Sequence, residues 1–165
     1  MYDAATENSV LILGVGNLVM TDDAVGVIVV QKMVKRYRFP DNVEVMDGGT
    51  LGLDLLHKLE NISKLIMIDA VETGKEAGNC VRLAGDELPI ALLTKVSPHQ
   101  MGLKDLLAVS ELMGHSPKEM VLFGVQPASV EMGVGLTEKV EAQVETLISS
   151  VLYELSSSGI DVSPI

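Results

Sequence analysis

The chain has 165 residues, with 23 acidic against 12 basic side chains and a formal net charge of −11 at neutral pH. That balance repels polyanions and excludes general nucleic-acid binding. Hydrophobic residues make up 47% but aromatics only 3%, so the core must be aliphatic. The length suits a single domain, 1–165. The lone cysteine, Cys80, excludes an internal disulfide or an intrachain thiolate zinc cluster and is expected as a partly buried thiol on a strand. The N-terminus lacks the basic and apolar regions of a signal peptide, and no run approaches the ~18 apolar residues that span a bilayer. Cytoplasmic residence without membrane insertion is the expectation.

In chain order, Val10 to Val15 (VLILGV) has the apolar run of a strand buried on both faces. A loop, GNLVMTDD, leads to a helix expected from Asp23 to about Tyr37. Its apolar face is Val27, Val30, Val34 and Tyr37, widened by Val25, Ile28 and Val29, and Thr21 or Asp22 is its candidate cap. Pro40 and Asp41 make a turn before a short strand, Val43 to Met46, closed by DGGT. Thr50 opens a helix through Leu51, Leu55, Leu56 and Leu59, and Leu65 to Ala70 (LIMIDA) is the most apolar strand. Asn79 to Leu83 is a weaker strand. The turn-rich approach to it leaves too little chain for a crossover helix, so it should run antiparallel at an edge. Glu87 to Val96 has no clear pattern. Ser97-Pro98 starts a helix to about Met113 that buries Leu103, Leu106 and Leu107. Met120 to Val125 is a fifth strand. Thr137 opens the last helix, with the stripe Val140, Val144, Leu147, Ile148, Val151, Leu152 and Leu155. The tail SSSGIDVSPI is expected to fray. Alternating strands and helices indicate an α/β three-layer sandwich, a mostly parallel five-stranded mixed sheet between helices.

Ligands of open α/β sheets gather beyond the carboxyl ends of strands. Applied to the polar residues, that rule selects Asn17, Asp22 and Asp23 after strand one, Asp47 after strand two, Asp69 at the end of LIMIDA, and His99 in the first turn of the Ser97-Pro98 helix. The glycines Gly14 and Gly16 do not complete a dinucleotide fingerprint, because Val19 occupies the third glycine position; they suit a sharp backbone turn instead. A phosphate loop with lysine, an H-E-x-x-H helix and a G-x-S-x-G elbow are all absent from the sequence. Asp22 and Asp23 together allow one to cap the helix and the other to face the cleft. Asp69 reads either as a structural acceptor of backbone amides or as a ligand. For His99, a first-turn position favours neutral imidazole, the ligating form. Asp23, Asp69 and His99 would together suit a divalent metal with open positions, although their spacing alone does not establish convergence.

At these residues the sequence resembles the NiFe hydrogenase maturation protease family. The matching pieces are GVGNLVMTDDAVG at Gly14–Gly26, DGGT at Asp47–Thr50, IDA at Ile68–Ala70, SPHQ at Ser97–Gln100 and GVQP at Gly124–Pro127, in family order along nearly the whole chain. The resemblance implies a twisted five-stranded mixed sheet between helices. It implies that Asp23, Asp69 and His99 form the catalytic and metal-binding set, although some relatives carry Glu at the position of Asp23. It further implies an endopeptidase that removes the C-terminal extension of the hydrogenase large-subunit precursor after nickel insertion. Nickel would be presented by that precursor, and another divalent metal would be able to take the site in vitro. Gly48 and Gly49 would admit substrate backbone and donate amides to it, while Asn17, Gln100 and Gln126 are candidates to orient peptide. The alternative is a non-enzymatic, nickel-sensing assembly adaptor that uses the same three side chains. A nucleotide or nucleoside hydrolase is disfavoured by the scarcity of basic residues.

Overall fold

The computed structural model describes residues 9–48, 58–88, 107, 111–112, 114 and 116–165. Its strands in chain order are β1 (Val10–Gly14), β2 (Tyr37–Arg38), β3 (Val43–Asp47), β4 (Lys64–Ala70), β5 (Cys80–Ala84), β6 (Glu119–Val125) and β7 (Ser163–Pro164). The helices that lie wholly within the described residues are α1 (Val25–Arg36), α2 (Glu138–Glu141) and α3 (Val144–Ser157), with 3-10 turns over Thr21–Ala24, immediately before α1, and over Gly85–Glu87.

The main sheet has the order β3-β1-β4-β6-β5. Its first four strands are mutually parallel, and β5 runs antiparallel to β6 at the edge, as the short connection from β4 requires. The protein is thus an α/β sandwich around a twisted, mostly parallel mixed sheet.

Period-two alternation along the central strands divides the core between two faces. Val10 and Ile12 of β1, Ile66, Ile68 and Ala70 of β4, and Val121, Phe123 and Val125 of β6 face the layer that contains α1 and α3. Leu11, Leu13, Leu65, Met67 and Leu122 face the other layer, with Leu59, Leu88 and Leu107. Strands buried on both sides are continuous apolar runs for this reason, and β1 and β4 have no exposed residue at all. The helix expected from Thr50 lies mostly outside the described residues; Lys58 and Leu59 at its end are helical, and Leu59 is buried. The helix expected from Pro98 also lies mostly outside them, His99 included, but Leu107, Glu111 and Leu112 are helical.

Three expectations change. The buried stripe of α1 is Val25, Val27, Val29, Val30 and Met33, whereas Val34 is 52% exposed and Tyr37 has left the helix for β2. The last helix breaks at Ala142 and Gln143 into α2 and α3, with its apolar stripe still facing the core. The tail does not fray. Ile160 is buried, β7 pairs antiparallel with β2, and the Ile165 amide donates to Arg36 O at 2.9 Å. Cys80 is the expected half-buried strand thiol, and burial pushes its pKa up.

Candidate functional site

The carboxyl ends of β1 and β4 lie side by side, with Gly14 opposite Ile68 in register. The chain leaves β1 through Val15, whose amide donates to Ile68 O at 2.9 Å. It then turns back so that the Thr21–Ala24 segment packs on β4. Glycine makes that return possible. A Cβ on Gly26 would lie 2.0 Å from Ile68 O, and one on Gly14 would lie 2.2 Å from Gly26 O. The first turn of α1 therefore sits directly on backbone at the strand ends. Gly16, at φ +144°, lets the loop pass against the carbonyl of Asp23.

This interlock puts Asp23 and Asp69 on touching elements at the same rim. Both are fully buried. Oδ2 of Asp23 accepts from the Asn17 amide at 3.1 Å, and Oδ1 of Asp69 accepts from the Ala70 amide at 2.8 Å. The second oxygen of each carboxylate is buried as well. Asp69 follows Leu65 and Met67 on the sheet face opposite α1, the face to which Leu107 also packs. Two carboxylates held by short backbone contacts at a sheet rim have the donor chemistry that a hard or borderline divalent cation takes, with room in its coordination for an imidazole or a substrate group. His99 lies outside the described residues, and among those residues no group of three His, Cys, Asp or Glu side chains converges.

Asp22 behaves differently from its neighbour. No side chain caps the Thr21–Ala24 turn or α1, so the expected capping role of Thr21 or Asp22 is not what the fold uses. Asp22 is fully buried and accepts four hydrogen bonds from the segment after β6. Its Oδ2 takes the amides of Ala128 at 2.8 Å and Ser129 at 3.1 Å and the Thr137 hydroxyl at 2.7 Å; its Oδ1 takes the Thr137 amide at 2.7 Å. One aspartate is therefore a clamp between loops, and the next lies on the turn packed against the end of β4. Sequence offers no signal for this, because the clamped donors are more than a hundred residues away.

The other candidates are partly absorbed into structure. Gln126 is buried, receives the Thr73 amide at 2.6 Å and donates to Glu72 at 3.1 Å, so its amide group staples the loop after β4 and does not orient peptide. The Gly48 amide donates to Gly14 O at 2.9 Å and extends the sheet, so it is not offered to substrate. Asn17 closes its own turn by accepting the Val19 amide at 3.0 Å. Gly49 and Gln100 lie outside the described residues.

A family model described as hydrogenase maturation protease matches residues 27–154. The hydrogenase 2 maturation protease of Escherichia coli is 43% identical over 156 residues, covering 94% of this chain and 95% of that protein. The hydrogenase expression/formation protein HupD of Bradyrhizobium diazoefficiens is 37% identical over 99% of this chain and 86% of its own length. Among solved structures, the hydrogenase maturating endopeptidase HybD from E. coli superposes with a TM-score of 0.88 at 41% identity, covering 94% of this chain and 97% of that one.

Proposed function

We propose, from the premise that this chain belongs to the hydrogenase maturation protease family, that it is the endopeptidase that trims the C-terminal extension from a NiFe hydrogenase large-subunit precursor in the cytoplasm. Nickel held in the precursor is the feature recognised. The observation that carries the reading is the pair of fully buried carboxylates, Asp23 and Asp69, on interlocked elements at the carboxyl rim of the sheet. Ionised side chains are seldom fully buried, and two that are, at the strand ends where such sheets take ligands, mark a candidate functional site.

In this reading Asp23 and Asp69 hold the substrate-borne metal and His99 completes the donor set. A metal so held supplies Lewis acidity to a carbonyl and acidity to water. The chain's own contribution is positional. The Asn17 amide fixes the carboxylate of Asp23, the Ala70 amide fixes that of Asp69, and the Asp22 clamp immobilises the turn that carries Asp23. Water adds across the scissile amide, and the released peptide leaves with the new amino terminus.

The test is mass spectrometry of nickel-loaded precursor after incubation with the protein. Loss of the C-terminal peptide is expected for the wild type, while binding with unchanged precursor mass would instead establish an assembly adaptor. Asp23→Asn, Asp69→Asn and His99→Ala should each lower processing by more than about 100-fold, beyond what an outer partner of a metal ligand causes. Normal cleavage by the His99→Ala variant would remove that residue from the site.

A further inference from the structure

Half of the large apolar residues that stand exposed among the described ones lie on two loops beside Asp23. Leu18 is 43% and Val19 49% exposed in the turn after β1; Met132 is 85% and Val134 89% exposed in the loop after β6. The two loops are joined. Met20 and Gly133 form a parallel bridge, in which the Thr21 amide donates to Gly133 O and the Gly133 amide to Val19 O, both at 2.9 Å. The Thr21 hydroxyl adds a bond to Glu131 O at 2.5 Å, and Asp22 fastens the same pair of loops through Ala128, Ser129 and Thr137.

We propose that Leu18, Val19, Met132 and Val134 form the docking surface for an aliphatic segment of the protein substrate next to its scissile bond. The proposal rests on the endopeptidase reading above and deepens it. The hydrogen bonds between the two loops hold their backbone in place, so less loop ordering opposes the burial of these side chains. The platform is continuous with the turn that carries Asp23, so a chain lying on it is delivered to the rim. An anionic bilayer is a poor occupant for a surface that includes the exposed Glu131 on a chain of charge −11. A second copy of the chain seated here would cover the approach to Asp23.

The experiment measures binding and processing of purified nickel-loaded precursor by the wild type, the triple variant Val19→Asp/Met132→Asp/Val134→Asp, the single variant Met132→Asp, and Tyr153→Asp as a control at an exposed large side chain on α3, outside the two loops. The replaced side chains are solvent-exposed, and thermal unfolding will verify each fold. The triple variant should raise both Kd and KM for the precursor at least about tenfold, Met132→Asp by about threefold, and Tyr153→Asp not at all. Wild-type Kd and KM in the folded Met132→Asp variant and in the triple variant would overturn the docking surface and leave the endopeptidase reading standing. So would light scattering that shows the triple variant dissociating a wild-type dimer with KM unchanged. Failure of the wild type to shorten the precursor would overturn both.

Discussion

Asp22 and Asp23 are adjacent, both acidic and both fully buried, yet their surroundings give them separate work. Asp22 is surrounded by donors from the loop after β6, whereas Asp23 accepts the Asn17 amide at the rim of the sheet. Removing the Asp22 carboxylate leaves the part-buried donors of Ala128, Ser129 and Thr137 without their acceptor, each of which has its own desolvation penalty. Asp22→Ala should therefore destabilise the fold by about 3 kcal/mol, read from urea unfolding. A change within about 0.5 kcal/mol would mean that water replaces the carboxylate and that the clamp is dispensable. Another buried acid, Glu154, is held by Arg82 at 2.9 and 3.0 Å and by Lys64 at 2.8 Å. The Arg82 hydrogen bonds, then Lys64, keep its pKa below the ordinary carboxylate value of 4.5, against the opposing effect of burial. A depressed folded pKa gives stability that is fully present above the unfolded value and is lost as pH falls through the folded one. Stability should thus fall below about pH 4.5 in the wild type, and Glu154→Gln should flatten that part of the profile. Parallel acid limbs for the two proteins would refute the assignment.

At the scale of elements, the decisive contact is between the first turn of α1 and the ends of β1 and β4. Gly14 and Gly26 touch backbone to backbone, so the helix enters closer to the sheet than side chains permit. In Gly26→Ala the new methyl would meet the Ile68 carbonyl, which cannot swing aside as a flexible side chain can. That substitution should cost about 2–3 kcal/mol. It should also reduce precursor processing in protein that remains folded, because Asp23 and Asp69 ride on the two elements being separated. Unfolding midpoints and cleavage rates measured on the same samples check this; full activity with lowered stability would show that the rim tolerates the shift. Sequence displayed the glycines but not their partner. A G-x-G after a strand points to a turn, whereas the interlock needs Gly26 as well, and only packing reveals that. The tail misled for a related reason. Ser156–Ile165 is polar enough to read as frayed, but Ile160 finds the core and Ser163–Pro164 finds an open partner in Tyr37–Arg38.

For the molecule as a whole, the functional reading requires residues from distant parts of the chain to act as one unit. Groups that hold a single ligand are not independent, so the Asp23→Asn/Asp69→Asn double variant should process precursor no more slowly than the worse single variant. Losses that multiply would assign the two acids separate tasks. Much of the architecture was legible from residues alone. The continuous apolar runs of β1, β4 and β6 dictated strands buried on both faces, and the brief approach to β5 dictated an antiparallel edge. Asp23 and Asp69 were legible as candidates because strand ends are where such sheets bind ligands. Local pattern determines local structure because it reports propensity and periodicity, which act over a few residues. The tertiary structure alone decided that Asp22 is a clamp, that Gln126 and the Gly48 amide are spent within the fold, and that two loops more than a hundred residues apart join into one apolar platform beside Asp23. Those outcomes depend on which distant backbone groups arrive within hydrogen-bonding distance, and chain topology sets that whatever the identity of the neighbouring residues.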